Sequence, residues 1–365
     1  MKNVFGNSLT VTLFGESHGP YIGATLDGIA PGIKIDYAYI DKMLEHRRPF
    51  DTISTARVEG DKYEIISGVF EGHTTGTPLT VIIPNTNTKS ADYESLKNTP
   101  RPSHADYTAE VKYHGMQDYR GGGHFSGRVT AALVAVGAIV SSALSKKGIK
   151  IGTHISELGG ICDRALDKLE SDIGILNNKL FPVLDGPAGN AMKKYIKECA
   201  ERGDSVGGVL ETAVIGVPAG IGEPWFDTLE GTLAHALFSV PAVKGVEFGL
   251  GFGFKHGTGS DLNDAFVMKN GKIATATNNN GGINGGIANG MPIIYRCAVK
   301  PTPSIFKDQL TVDMNKGQEA VLSLSGRHDP AVIHRARAVV DAVSAIAIAD
   351  ACVTRFGTDW LMENK

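Results

Sequence analysis

The run RGGGHFSGR, residues 120–128, leads directly into the small apolar residues VTAALVAVGAIVSSAL, 129–144. Successive glycines can adopt positive φ and bring backbone N–H groups close to a ligand, while flanking Arg and His side chains can neutralise a phosphate or carboxylate. The apolar run is typical of a buried helix. A glycine-rich turn before a core helix is equally common as a structural feature. The first hypothesis is an anion-binding turn that opens a buried helix, and the rest of the chain must decide it.

Composition narrows the class of protein. The 365 residues are 42% hydrophobic and 21% charged, which is typical of a folded globular protein. The net charge of −3 predicts no general attraction to nucleic acid or to an anionic membrane. The start of the chain lacks signal-peptide features, and the apolar run 131–144 is short for a bilayer. We therefore expect a cytoplasmic protein with no nucleic-acid or membrane partner.

The cysteines predict neither a metal site nor a disulfide framework. They are widely spaced and form no CxxC pair, which fits a reducing compartment. They are Cys162, Cys199, Cys297 and Cys352.

Hydrophobic periodicity predicts interspersed strands and helices. Strands are predicted at 9–14, 22–26, 64–69, 78–83, 206–217, 243–254 and 292–299, and helices at 36–45, 129–144, 191–202, 227–238 and 331–355. Capping residues mark the helix ends: Asp36, Asp227 and Asp329 as N-caps, Pro330 in a first turn, and Gly203 and Gly357 as stops. No βαβ unit with a dinucleotide fingerprint and no linker interrupts this order. The prediction is an α+β fold in one domain, residues 1–365.

Two histidines lie on turns that look functional. GESHG, residues 15–19, places Ser17 and His18 on a glycine-flanked turn after an apolar strand. This is not the GxSxG pattern of a nucleophilic serine, so hydrolase chemistry is disfavoured and His18 is interpreted as a proton donor. RPSHAD, residues 101–106, places His104 on an irregular polar segment before the glycine turn. A structural role for either histidine remains open.

Further cationic and polar loops point to an anionic ligand. Arg47 and Arg48 end the first predicted helix, where cations are favoured in any case. NNNGGINGGIANG, residues 278–290, offers backbone donors and acceptors, and KPTPS, residues 300–304, offers an ammonium and two hydroxyls. Asp329 follows Arg and His, yet it can also be a simple N-cap. Without a Walker, GxGxxG or HExxH motif, a phosphorylated, multiply anionic small molecule fits best.

These motifs, taken together and in order, closely resemble the chorismate synthase family over nearly the whole chain. The matching segments are 15–19, 47–49, 101–106, 119–128, 240–247 (VPAVKGVE), 281–290, 300–304 and 326–330. The resemblance implies a carbon–oxygen lyase of the shikimate pathway, which makes chorismate for aromatic amino acid biosynthesis. Its reaction is an anti-1,4-elimination of phosphate from 5-enolpyruvylshikimate 3-phosphate. It also implies reduced FMN without net redox change, a homotetramer, and central helices between antiparallel sheets.

The resemblance also implies residue roles. His18 would protonate the departing phosphate, His104 would set the protonation of the reduced flavin, and Ser17 and Asp329 would support proton transfer near the flavin. The matching flavin positions are His124, Phe125, Ser126, Pro241, Ala242, Gly285, Lys300, Pro301, Thr302, Pro303, Ser304 and Arg327. The substrate-anion positions are Arg47, Arg48 and Arg128, and Arg47 also matches a position associated with NADP.

The chain departs from the family pattern at two places. The family usually carries Arg where this chain has His124, and small residues where it has Phe125 and Gly127. The segment after Pro49 lacks a basic residue that is common in relatives, a charge that Arg57 could supply.

Three questions stay open at this stage. A flavin enzyme with net redox turnover is one alternative, and an RNA-binding module is another, although sparse aromatics and the mildly acidic charge disfavour the latter. The third question is whether the chain reduces its flavin with NADPH directly or depends on a separate flavin reductase, and the lack of an appended domain favours the reductase.

Overall fold

The computed structural model describes residues 2–55, 60–86, 97–324 and 329–362. The strands are β1 Val4–Phe5, β2 Thr10–Gly15, β3 Tyr21–Asp27, β4 Glu64–Ser67, β5 Val69–Phe70, β6 His73–Thr74, β7 Leu79–Pro84, β8 Lys150–Leu158, β9 Ile161–Cys162, β10 Gly208–Ile215, β11 Val243–Phe248, β12 Phe266–Lys269, β13 Lys272–Thr275, β14 Ile283–Asn284, β15 Ile287–Ala288, β16 Ile293–Val299, β17 Gln309–Asp313 and β18 Gln318–Leu322. The helices are α1 Tyr37–Arg47, α2 Asp106–Tyr113, α3 Thr130–Lys146, α4 Leu169–Leu176, α5 Gly186–Glu201, α6 Leu229–Phe238, α7 Gly259–Leu262 and α8 Ile333–Phe356.

Two five-stranded sheets enclose the central helices. One sheet has the order β1-β2-β3-β7-β4 and the other β11-β16-β10-β8-β9, and every pairing in both is antiparallel. Helix α3 packs on β3 and β7 of the first sheet, α8 packs on β8 and β10 of the second, and the two helices pack against each other. Helices α1 and α6 flank this pair. The predicted α+β class, with central helices between antiparallel sheets, is confirmed.

The small residues of α3 and α8 allow the two helices to approach closely. A Cβ atom on Gly137 of α3 would lie 2.5 Å from the Cβ of Ala342 on α8. Most side chains of both helices are buried. The segment Gly127–Lys146 is long and apolar enough to cross a membrane, but 72% of its most apolar window is buried inside the protein. It is the core helix that the sequence predicted.

Most predicted elements are confirmed with shifted ends. Asp36 caps α1 by accepting a hydrogen bond from the N–H of Tyr39 at 2.9 Å. Gly357, with φ +86°, ends α8 as expected. The helix predicted from residue 191 begins at Gly186, because Asp185 caps it and accepts from the N–H of Ala188 at 2.9 Å.

Three predictions were wrong in detail. Thr228, not Asp227, caps α6, since its hydroxyl accepts from the N–H of Gly231. The strand predicted over 243–254 ends at Phe248, because Gly249 takes positive φ and residues Gly251–His256 form a 3₁₀ helix. Asp329 is not an N-cap, since α8 begins at Ile333.

Several elements were not predicted at all. The longer ones are strand β8, helices α2 and α4, and the hairpins β12–β13 and β17–β18, and the shorter ones include β1, β6, β9, α7 and the pair β14–β15. Short elements such as these hairpins depend on pairing rather than on a long hydrophobic period.

Candidate active site

A cavity of about 770 Å³ collects most of the residues that the sequence singled out. Its wall combines the end of α1, the glycine turn before α3, the segment before β11 and the segment after β16. The predicted residues that line it are Arg47, His104, His124, Phe125, Ser126, Arg128, Pro241, Ala242, Lys300, Thr302, Pro303, Ser304 and Asp329. The cavity therefore joins segments that are far apart in the sequence.

The glycine turn contacts both predicted catalytic histidines. Gly121 and Gly122 have φ of +59° and +82°, values that favour glycine. A Cβ on Gly121 would lie 2.4 Å from His18 Cε1, and a Cβ on Gly122 would lie 3.3 Å from His104 Cε1. The backbone of this turn therefore passes against both imidazoles.

Ser17 and His18 form a buried pair behind that turn. Ser17 Oγ lies 2.8 Å from His18 Nδ1 and 3.3 Å from the carbonyl oxygen of Gly121, to which it donates. The N–H of Ser17 donates to the carbonyl of Gly123 at 3.0 Å. Ser17 and His18 do not line the cavity, whereas Gly121 does.

His104 belongs to a charged cluster with Arg101 and Asp106. Its Nδ1 lies 2.6 Å from Asp106 Oδ1, and the Nε and Nη2 of Arg101 each donate to Asp106 at 2.8 Å. Burial alone would raise the pKa of Asp106, but the hydrogen bonds from Arg101 and His104 outweigh it and hold that pKa below its usual range. Arg101 also donates to Ser304 Oγ at 3.3 Å. The RPSHAD motif contained Arg101 and Asp106, but sequence reasoning gave them no role.

The predicted substrate arginines converge on a carboxylate that the sequence did not reveal. Asp61, whose side chain is 0% exposed, contacts Arg128 Nη1 and lies 3.1 Å from Arg47 Nη1. Arg48 Nε is 3.9 Å from the same carboxylate, and this buried nitrogen has no hydrogen-bond partner in the described part of the chain. The three guanidinium groups and Asp61 thus leave a local excess of positive charge beside the cavity.

Asp329 lies on the cavity wall and has a specific pair of partners. It accepts a hydrogen bond from the N–H of Thr55 at 2.7 Å and forms an ion pair with Arg335. Arg335, which also lines the cavity, donates from Nε to the carbonyl of Arg47 at 2.8 Å. Sequence reasoning missed Arg335 because its position on α8 resembles that of any helix-surface arginine.

Each arginine that lines the cavity in the described ranges is paired with an aspartate of the chain. Asp61 forms ion pairs with both Arg47 and Arg128, Asp106 pairs with Arg101, and Asp329 pairs with Arg335. Such pairing fixes the guanidinium groups before a ligand arrives, which is how preorganised sites gain strength.

His124 and Phe125, at which the chain departs from the family pattern, have different roles in the structure. His124 Nδ1 donates to the carbonyl of Gly15 at 2.8 Å, which ties the turn to the end of β2. The Phe125 side chain is 38% exposed at the cavity and meets Tyr113 edge to face, with ring centroids 6.1 Å apart. His124 therefore supports the turn, while Phe125 offers an aromatic surface.

The KPTPS segment supplies polar groups to the opposite wall. Lys300 Nζ donates to the carbonyl of Ser103, and burial, with the Lys244 ammonium nearby, lowers the pKa of Lys300. Thr302 Oγ1 is buried without a hydrogen-bond partner among the described residues. A buried hydroxyl of this kind is expected to find its partner in a ligand or in water.

A few predicted residues lie elsewhere. Gly285 is at the β14–β15 turn, and neither it nor Arg48 nor Pro301 lines the cavity. Arg327, together with Arg57, lies outside the described residues.

The fold and the cavity define a class of protein: an α+β enzyme with a preorganised, arginine-rich site for a small anionic ligand. Comparison with known proteins makes the class specific. The family model for chorismate synthase matches residues 9–353, and the chain belongs to the chorismate synthase family. Membership confirms the resemblance and the lyase activity that the sequence predicted.

Chorismate synthases of known sequence align with almost the whole chain. The chorismate synthase of Pyrococcus abyssi is 46% identical over 345 residues, which are 94% of this chain and 96% of the relative. That of Methanosarcina mazei is 46% identical over 352 residues, 95% of each chain. A crystal structure of chorismate synthase superposes with a TM-score of 0.76 at 31% identity, covering 97% of this chain and 94% of the other.

Proposed function

We propose that the cavity binds 5-enolpyruvylshikimate 3-phosphate beside reduced FMN, and that the chain catalyses the anti-1,4-elimination that yields chorismate and phosphate. The observation that carries this proposal is the convergence of the arginine clusters, His104 and the 300–304 segment on one cavity of about 770 Å³. That volume lies within the roughly 300–1,000 Å³ of pockets that enclose small-molecule ligands.

Substrate recognition rests on fixed positive charge. The substrate carries a phosphate and two carboxylates, and guanidinium groups bind such anions with defined geometry. Arg128 and Arg47 contact Asp61 and line the cavity. Arg48 does not line it, but its Nε lies 3.9 Å from Asp61 and has no hydrogen bond among the described residues. We assign these three arginines to the substrate anions.

The donor set of the cavity fits a flavin mononucleotide. The Thr302 hydroxyl, which has no hydrogen-bond partner among the described residues, and the neighbouring Lys300 and Ser304 suit polar groups of the cofactor. The exposed ring of Phe125 suits a flat aromatic system. His124, Ser126, Pro241, Ala242 and Pro303 also line the cavity and belong to the proposed flavin set. Pro301 and Gly285, which do not line it, and Arg327, which lies outside the described residues, remain proposed members of that set. When bound, reduced FMN supplies electron density that assists phosphate departure and is recovered as the hydrogen leaves, so no net oxidation occurs.

The residues of the chain supply the proton chemistry. His18, oriented by Ser17, is assigned to protonate the departing phosphate, and His104 to control the protonation state of the flavin. Ser17 and Asp329 are assigned to proton transfer beside it. The two histidines lie against neighbouring glycines of the same turn.

We further propose that the protein is a cytoplasmic homotetramer and that it receives reduced flavin from a separate reductase. The alternative reductant is NADPH, which Arg47 would bind. Large apolar side chains on the surface, such as Trp225 at 85% and Phe226 at 97% exposure, support association between copies. Light scattering of the purified protein is expected to give the mass of four chains.

The source of reduced flavin has its own test. Activity with FMN and NADPH alone in air would show that the chain reduces its own flavin and needs no separate reductase.

The central experiment is anaerobic phosphate release from the substrate. We expect release with reduced FMN, none with oxidised FMN, and no stoichiometric consumption of NADPH. His104→Ala is expected to lose most turnover while still binding flavin. Equal activity with oxidised FMN, or none with reduced FMN, would overturn the lyase assignment for this cavity.

A further inference from the structure

Asp106 is a carboxylate at the site that the chemistry above does not use. It begins α2, and its side chain accepts four hydrogen bonds. The donors are Arg101 N at 3.0 Å, Arg101 Nε and Nη2 at 2.8 Å each, and His104 Nδ1 at 2.6 Å. So many donors keep Asp106 ionised, in agreement with its lowered pKa.

The arrangement decides which ring nitrogen of His104 carries the proton. An ionised carboxylate only accepts, so the 2.6 Å contact requires a proton on Nδ1. Arg101 Nη2 also lies 3.1 Å from Nδ1, and a guanidinium only donates. Asp106 therefore requires Nδ1 to donate, whereas Arg101 requires it to accept. The contact with Asp106 is shorter and charge-assisted, so it determines that Nδ1 carries the proton.

The other ring nitrogen, Nε2, takes no part in the contacts with Asp106 and Arg101. His104 Nε2 has no hydrogen bond within the described ranges, and it lies 3.4 Å from where a Cβ on Gly122 would stand. A side chain at position 122 would cover this nitrogen, whereas glycine leaves it accessible. His104 itself lines the cavity.

We infer that Asp106 is a positioning residue that fixes neutral His104 in the Nδ1–H tautomer, so that Nε2 presents a lone pair to the cavity. Nε2 can then take up one proton to give an imidazolium and return it, while Asp106 stays ionised throughout. The inference rests on the proposed role of His104, and Arg101 connects the same cluster to Ser304 in the proposed flavin set.

The direct test is nitrogen NMR of the ¹⁵N-histidine-labelled protein, without flavin or substrate, with His104 assigned from a His104→Gln sample. We expect wild-type His104, where neutral, to show a protonated Nδ1 and a bare Nε2. In Asp106→Ala the Arg101 donor becomes the only hydrogen-bond neighbour of Nδ1 within the described ranges, so the proton is expected to move to Nε2. Asp118→Ala is the matched control, because Asp118 pairs with Arg120 at 2.8 Å and forms no hydrogen bond or ion pair with His104 among the described residues. The His104 signals of this variant should be unchanged.

Kinetics supply the second measurement. Asp106→Ala is expected to lower kcat by about 100-fold, the lower range of general acid–base contributions, with KM within about twofold of wild type. Asp106→Glu is expected to restore both the tautomer and part of kcat. A protonated Nε2 in the wild type, or an unchanged tautomer in Asp106→Ala, would overturn the inference. Because the NMR test needs no turnover, failure of the lyase assignment would appear separately, as a wild type that releases no phosphate.

Discussion

Gly121 and Gly122 have similar backbone conformations but face different side chains. Both have positive φ, yet a Cβ at 121 would meet Ser17 and His18, while one at 122 would meet His104. At the residue scale, the absence of a side chain at these positions is therefore a requirement of the site as well as of the turn.

Gly121→Ala is expected to displace His18 and to lower kcat by at least about 10-fold, since general acid catalysis depends on placement. The added Cβ would be 2.4 Å from both His18 Cε1 and Ser17 Oγ, so the ring must move. Steady-state kinetics with reduced FMN measure the effect. Gly148→Ala is the control, because Gly148 has φ +81° and nothing within 4 Å of the added atom. It is expected to cost about 1 kcal/mol of stability and to leave kcat unchanged. Wild-type kcat in Gly121→Ala would show that His18 does not depend on this turn.

At the scale of secondary-structure elements, Asp61 joins three parts of the chain. It precedes β4, Arg47 ends α1, and Arg128 belongs to the turn before α3. Arg47 also donates to the carbonyl of Gly127 at 2.9 Å and to Thr130 Oγ1 at 3.0 Å. One buried carboxylate thus connects the first helix, the first sheet and the central helix beside the cavity.

Asp61→Asn is expected to lower the free energy of unfolding by about 3–5 kcal/mol, because it removes the buried carboxylate that both the Arg47 and the Arg128 guanidinium groups contact. The side chains of Arg47 and Arg128 are only 7% and 5% exposed, so water cannot replace the lost partner. Urea denaturation measures the change. The control is Glu170→Gln, which removes a surface ion pair with Lys150. The Glu170 side chain is 75% exposed, so this substitution should change the free energy of unfolding by less than about 0.5 kcal/mol. Equal effects of the two substitutions would contradict a structural role for the Asp61 cluster.

At the scale of the whole molecule, the sandwich depends on the close approach of α3 and α8. These helices carry the two sheets on their outer sides, so their separation sets the thickness of the protein. The two helices approach closely at Gly137, whose added Cβ would lie 2.8 Å from the Cα of Ala342.

Gly137→Ala is expected to destabilise the fold by about 1–3 kcal/mol through overpacking, even though alanine favours helix more than glycine does. Thermal or urea unfolding measures this. Gly174→Ala in α4 is the matched control, because nothing lies within 4 Å of its added Cβ. Helix propensity alone should then stabilise that variant by up to about 1 kcal/mol. A stabilised Gly137→Ala would mean that the two helices can separate at no cost.

The sequence by itself determined the elements with long hydrophobic patterns, the mixed fold class and the family. Helices α1, α3 and α8 and most of the longer strands follow from local periodicity and from caps such as Asp36 and Gly357, whereas antiparallel pairing was implied only by the family resemblance. The motifs around His18, His104 and the glycine turn were sufficient to indicate chorismate synthase, because their order along the chain is itself a signal.

Only the tertiary structure decided how charges are paired. Asp61 meets Arg128, 67 positions away, and Asp329 meets the backbone of Thr55, 274 positions away. No local pattern encodes such partners, so the sequence could present Asp329 as an N-cap and leave Asp61, Asp106 and Arg335 without roles. The packed sandwich brings Asp61, Asp329 and Arg335 to one cavity and Asp106 to its neighbour His104, and burial there makes the aspartate–arginine pairing of these groups strongly favourable.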